Sequence, residues 1–108
     1  MMQHPFAHPA EEAYARLLDE HGIAWEYEPH TFRLEADTRG RVAEAMTPDF
    51  YLPTIGLYVE CTTTAPRLVH RKRRKARKLR NKHGEVVTLL ERDDLERLLE
   101  KRPWWRLF

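Results

Sequence analysis

Hydrophobic and polar positions alternate at two periods along this chain, and the changes of period mark its elements. From Pro9 the apolar residues Tyr14, Ala15, Leu17 and Leu18 recur at helical spacing. Pro9 suits a first helical turn, Glu11 and Glu12 favour its positive end, and Gly22 supplies a stop, so a helix is expected over residues 9–21. Glu11 stands three, four and seven residues before Tyr14, Ala15 and Leu18 and shares their face. Glu12 is rotated away, toward Arg16 and Asp19.

The period then shortens to two. Ile23, Trp25 and Tyr27 alternate with Ala24 and Glu26, which predicts a strand that Pro29 ends or bends. Residues 30–34 offer its continuation, and 35–40 read as a turn. Residues 41–46 stay open between a connector and a strand, with strand character only near Met46. Residues 47–62 read as two short strands folded at Pro53 and Gly56. Thr64 then suits an N-cap, Pro66 a first turn and Gly84 a stop, giving a helix over 66–82. Residues 85–90 form a β-branched apolar run, expected as a central buried strand. A last helix opens at Arg92-Asp93-Asp94, buries Leu95, Leu98 and Leu99, and stops at Pro103. The expected order is α-β-β-β-α-β-α. Its strand–helix–strand unit requires a parallel pair beside the antiparallel hairpin, so the class is α/β with a mixed sheet and helices on both faces.

Length and composition narrow the class further. A chain of 108 residues holds one domain around one core. No apolar run approaches the roughly 18 residues that span a membrane. Met1-Met2-Gln3-His4-Pro5 lacks the basic flank and apolar stretch of a secretory signal. A single cysteine, Cys61, excludes an internal disulfide and a multi-cysteine zinc site, and fits a reducing cytoplasm. The tail Trp104-Trp105-Arg106-Leu107-Phe108 is apolar enough to pack on the body or to join two copies in a homodimer.

The net charge of +2 conceals a segregation. Ten of the 19 Lys and Arg lie between Arg67 and His83 with no acid among them, and all 17 Asp and Glu lie elsewhere. One face so charged invites a polyanion; the plain alternative is a solvated helix.

Two acids interrupt the hairpin. Asp49 sits early in its first strand and Glu60 late in its second, so folding brings them together. Paired carboxylates repel, and a divalent cation is their natural partner. Each has a simpler reading: Asp49 as a turn residue after Pro48, Glu60 as a paired or edge acid.

A helix carrying Glu11, then Pro48-Asp49-Phe50, then Val59-Glu60-Cys61-Thr62, then a basic helix and a strand, resembles the PD-(D/E)XK nuclease superfamily over about residues 9–100. The resemblance implies a single restriction-endonuclease-like domain over 1–108, of the small Vsr-like or resolvase-like form, with a three-layer αβββαβ core and an extra C-terminal helix. It implies a Mg2+-dependent endonuclease, Mn2+ serving as well. Asp49, Glu60 and the carbonyl of Cys61 would hold the metal, and Glu11 would complete the site. The implied substrate is nucleic acid, DNA before RNA.

One position departs from that pattern. The family's lysine falls on Thr62, which carries no charge. Leu68, Lys72, Lys75 and Leu79 step by four, three and four along the basic helix and share a face that its only leucines should bury. Lys72 or Lys75 could therefore replace the missing cation, or both could lay their stems over the core. Arg67, Arg71, Arg73, Arg74, Arg77, Lys78 and Arg80 would then meet phosphates. His70 and His83 could assist. Two other functions stay open: a nuclease fold without catalysis that binds nucleic acid, and an interaction protein using its Trp-Trp tail.

Overall fold

The structure, a computed structural model, describes residues 6–63 and 65–100. In chain order its elements are α1 (Pro9–Glu20), β1 (Glu26–Tyr27), β2 (Phe32–Ala36), β3 (Val42–Met46), β4 (Phe50–Leu52), β5 (Leu57–Thr62), α2 (Pro66–His83), β6 (Val87–Glu91) and α3 (Arg92–Glu100). The class is mixed α/β. Four strands form one sheet in the order β1-β4-β5-β6, and β2 and β3 form a second sheet. β4 runs antiparallel to β1 and β5, while β5 runs parallel to β6. Among the described residues no helix is long and apolar enough to cross a membrane.

Local chemistry explains the principal elements. The His8 ring accepts a hydrogen bond from the Ala10 N–H and caps α1, which carries Glu11 and Glu12 in its first turn. The β4–β5 hairpin closes where the Ile55 and Gly56 N–H groups both donate to the Leu52 carbonyl. Gly56 takes a φ of 63°, which a residue with a side chain adopts only with strain. α2 ends at Gly84, whose N–H donates to the Arg80 carbonyl from the same left-handed region.

Two apolar clusters hold these elements. Phe50, Leu52, Val59 and Cys61 join Tyr14, Ala15, Leu17 and Leu18 of α1 and Leu95 of α3. Leu79 of α2 packs with Leu34 and Met46 of the small sheet, and with Val87 and Leu89 of β6. Phe50 is fully buried at the centre of the first cluster, where the rings of Phe6, Tyr14, Trp25 and Tyr27 surround it at centroid distances of 5.2 to 6.1 Å.

Several expectations are corrected. The first strand covers Glu26–Tyr27 only, and residues 32–36 start a new strand. Glu28, at a φ of 46°, and Pro29 break the chain between them. Residues 42–46 are all strand and pair with β2, so the turn shrinks to residues 37–40. The order is thus α-β-β-β-β-β-α-β-α rather than one with three leading strands. β6 lies at the sheet edge, not its centre. Its apolar run reflects use by both clusters, since Val87 and Leu89 serve one and Leu90 the other. In α3, Leu95 is buried but Leu98 remains 38% exposed. Thr64, the expected N-cap of α2, and the tail with Trp104 and Trp105 lie outside the described residues.

Truncating the central ring tests this packing. Phe50→Ala should cost about 3–5 kcal/mol in urea denaturation. A loss below about 1 kcal/mol would show that the ring is not central.

Candidate active site

The hairpin register sets Asp49 against Glu60. Phe50 pairs with Val59, so the residue before Phe50 lies opposite the residue after Val59, and both side chains turn away from the Phe50 face. The Asp49 N–H donates to Glu60 Oε1 at 3.0 Å, and the Cys61 N–H donates to Asp49 Oδ2 at 2.8 Å. Each carboxylate is therefore fixed by the backbone of the other strand. Each residue is only 7% exposed. α2 brings one cation to the pair, Lys72 Nζ lying 2.9 Å from Glu60 Oε2. Burial, then the neighbouring Glu60 charge, pushes the Asp49 carboxyl up to about 8, against the opposing pull of the Cys61 N–H and Lys72.

The other expected residues divide around this pair. Glu11 is buried on α1 and accepts hydrogen bonds from the Tyr27 hydroxyl at 2.5 Å and the Ala7 N–H at 3.3 Å. It makes no hydrogen bond to Asp49 or Glu60, yet its charge is among those that raise Asp49. The Cys61 side chain belongs to the core cluster. Burial, then Asp49, drives its thiol far above the ordinary range, which leaves it unreactive. Thr62 is 1% exposed, and its Oγ1 is the one buried side-chain polar atom without a hydrogen-bond partner among the described residues.

Lys75 goes elsewhere: its Nζ donates to the Ala45 carbonyl on β3 at 3.1 Å. The helix is rotated from the expected setting. Its buried residues are Val69 and Leu79, whereas Leu68 is only half-buried. The inward row is therefore Val69, Lys72, Ala76 and Leu79, at spacings of three, four and three.

The basic residues of α2 also separate. Arg73 pairs with Glu91 at 2.5 Å, Arg74 with Glu44 at 3.6 Å, and Lys78 with both Glu35 and Glu44. Hydrogen bonding to Lys78 holds the Glu44 carboxyl below its ordinary range. The Lys82 ammonium donates to the Leu34 carbonyl, and the His83 ring meets the Arg33 carbonyl. Arg67, Arg71, Arg77 and Arg80 are exposed and have no ion pair or side-chain hydrogen bond among the described residues. His70 is exposed near the helix start. Sequence reasoning missed Tyr27 as the partner of Glu11, and Glu35 and Glu44 as partners of the helix. The alternation of acids with apolar residues through Leu34–Ala36 and Glu44–Met46 was the available signal for those two.

Among the described residues no three His, Cys, Asp or Glu side chains gather closely enough to hold a metal ion by themselves. Asp49 and Glu60 are nevertheless hard oxygen donors, buried and mutually repelling. They fit magnesium, which is bound through one or two carboxylates and keeps its waters.

The Asp49 shift has a thermodynamic sign. Its folded value lies above its ordinary 3.8. Between about pH 4 and 8 the folded state therefore holds a proton that the unfolded state has released, and stability falls as pH rises through that window. Each tenfold displacement of that equilibrium is worth about 1.4 kcal/mol. Without divalent ions, Asp49→Asn should flatten this decline in a series of melting temperatures against pH; parallel curves for the two proteins would refute the assignment. Compared with protein-family models, curated proteins and solved structures, the chain matches none.

Proposed function

We propose that this protein is a Mg2+-dependent endonuclease that hydrolyses nucleic-acid phosphodiesters, DNA in preference to RNA, on a single restriction-endonuclease-like domain. The observation that carries this reading is the buried pair Asp49 and Glu60, with the half-buried Lys72 ion-paired to Glu60. An α1-hairpin-α2-β6 order with two apolar clusters is compatible with a three-layer αβββαβ core, in which β2–β3 is an added hairpin. The buried, unreactive Cys61 thiol suits a cytoplasmic protein.

In this reading Asp49 and Glu60 would hold the ion, with the Cys61 carbonyl beside them. The bound ion would supply Lewis acidity toward a phosphodiester oxygen and favour ionisation of the attacking water. Lys72 takes the part of the absent family lysine. It neutralises Glu60 in the free protein and lies ready to donate to an oxygen on which charge develops. Lys75 has no such part, being held by β3. Glu11 acts on the pair through its field. Arg67, Arg71, Arg77 and Arg80 meet backbone phosphates first, because among the described residues no acid pairs with them. Arg73, Arg74 and Lys78 contribute only after leaving Glu91, Glu44 and Glu35.

A second reading has its own support. Thr62 stands where the family has lysine, and Glu11 is bound to Tyr27 rather than to the acid pair. Both favour a nucleic-acid-binding module without catalysis. Magnesium calorimetry separates the two: salt-sensitive DNA binding with no ion uptake at millimolar magnesium would establish the module.

Plasmid nicking with magnesium or manganese tests the enzyme directly. Asp49→Asn, Glu60→Gln and Lys72→Met should each lose about 100-fold or more in rate. Lys75→Met should stay within a few-fold. Undiminished cleavage by Glu60→Gln would remove the assigned centre.

Binding carries a separate signature. Replacing any one of Arg67, Arg71, Arg77 or Arg80 by Ala should lower the slope of log affinity against log salt by about 1, equally across sequences. Arg74→Ala, already paired with Glu44, should change it less. Identical slopes for all five variants would place the nucleic acid on another face.

A further inference from the structure

A cleft of about 400 Å³ opens past the end of the strand that carries Glu60, with Thr62 and Thr63 in its lining. It lies at the carboxyl ends of the parallel strands β5 and β6, whose last residues Thr62 and Glu91 are register partners. Helices α2 and α3 begin there. Crevices at the carboxyl ends of parallel strands are where α/β sheets commonly take ligands, because the helix starts present unpaired N–H groups.

The start of α2 is incompletely satisfied. Ala65, just before the helix, offers no side-chain cap, and the first turn contains no acid. This 18-residue helix has no acid in its own first turn to offset its positive end. The start of α3 is different, since Asp93 and Asp94 stand in its first turn and Asp94 accepts from the Glu91 N–H. An anion is thus favoured on the α2 side. Thr62 lines the same cleft and supplies the independent sign of a missing ligand: it is almost wholly buried, and its hydroxyl is unpartnered. An orphaned buried hydroxyl is destabilising unless something completes it.

His70, Arg73 and Arg92 complete the lining, against Glu91 and Asp93. Arg73 already neutralises Glu91, and the Arg92 guanidinium donates to the Thr63 carbonyl at 3.0 Å. Thr62 follows Glu60 by two strand residues, a rise of about 6.6 Å. That separation places the cleft one short step along a strand from any phosphate docked at the acid pair.

We infer that this cleft is a phosphate subsite. It takes a phosphate group neighbouring the one at Asp49 and Glu60, with Thr62, His70, Arg73 and the Arg67 N–H as its donors; Pro66 has no N–H, and the Leu68 and Val69 N–H groups already donate to the Ala65 carbonyl. The inference rests on the nucleic-acid reading for its biological ligand, but the subsite can be measured without metal or cleavage.

The test is a titration of the full chain with inorganic phosphate at fixed ionic strength and without divalent ions, followed by amide chemical shifts. Saturable shifts should centre on residues 62–63 and 67–70. Thr62→Val keeps the shape and removes only the orphaned hydroxyl, so it should leave the melting temperature unchanged or higher while weakening phosphate about tenfold. Arg73→Gln should weaken it similarly. Binding that persists in Asp49→Asn supports the subsite whatever becomes of cleavage. Absence of saturation, or shifts spread along the exposed arginines and unaltered by Thr62→Val, would overturn it. Oligonucleotides with and without a 5′-phosphate then identify the source. A Thr62→Val loss confined to phosphorylated ends assigns a terminal phosphomonoester. A loss with both assigns an internal phosphodiester, and a loss with neither overturns the proposal.

Discussion

Burial of the facing Asp49 and Glu60 carboxyl groups constrains everything packed around them. Neither has water enough to spread a charge, so Asp49 keeps its proton up to about pH 8 and Glu60 pairs with Lys72. A buried ion without compensation costs several kcal/mol. The protein meets that cost locally: each acid accepts an N–H from the opposing strand, and Lys72 adds a direct ion pair to Glu60. The hairpin must hold its register for those N–H groups to arrive. A one-residue slip of either strand would turn its acid toward the Phe50 cluster. The tight turn at Gly56, the aromatic cluster under Phe50 and the seating of α2 thus all bear on the same pair of side chains.

The second organising feature is how α2 is held. Its sequence is so basic that a purely apolar interface is impossible, and only Val69 and Leu79 of it are buried. The β2–β3 hairpin answers with Glu35 and Glu44 and with the carbonyls of Leu34 and Ala45, while β6 offers Glu91. Most of these pairs are partly exposed, so each contributes little to stability. Their larger effect is on orientation. They select which cations face the body and leave Arg67, Arg71, Arg77 and Arg80 outward. A helix that reads as a uniform block of charge becomes a two-sided element, engaged with acids on one side and open to an anion on the other.

Much of the fold was legible because its signals are local. α1 and α2 have their prolines at the start and glycines at the end. The β4–β5 hairpin has its turn residues, and the parallel partner follows from a strand–helix–strand order. The small sheet was not legible. Residues 41–46 carry alanines and a glutamate that suit no element strongly, and they become a strand by pairing with β2 and covering Leu79. β6 misled for a related reason: an apolar run records cover from both clusters, not the number of neighbouring strands.

The sequence by itself determined that Asp49 and Glu60 would meet. A short hairpin with one turn permits few registers, and the period of two assigns faces. It also determined the segregation of charge onto α2, which needs only counting. The tertiary structure alone decided which lysine reaches the acids. Lys72 and Lys75 differ by 3 positions, close to one helical turn, and leucine spacing placed both inward. The actual rotation follows from Val69 and Leu79 fitting the sheet and from Ala45 and Glu44 waiting on the small sheet, contacts between segments some 30 residues apart. Such contacts leave no periodic trace in the chain. The same holds for Thr62, whose missing charge is visible in the sequence but whose unpartnered burial beside a cleft is not.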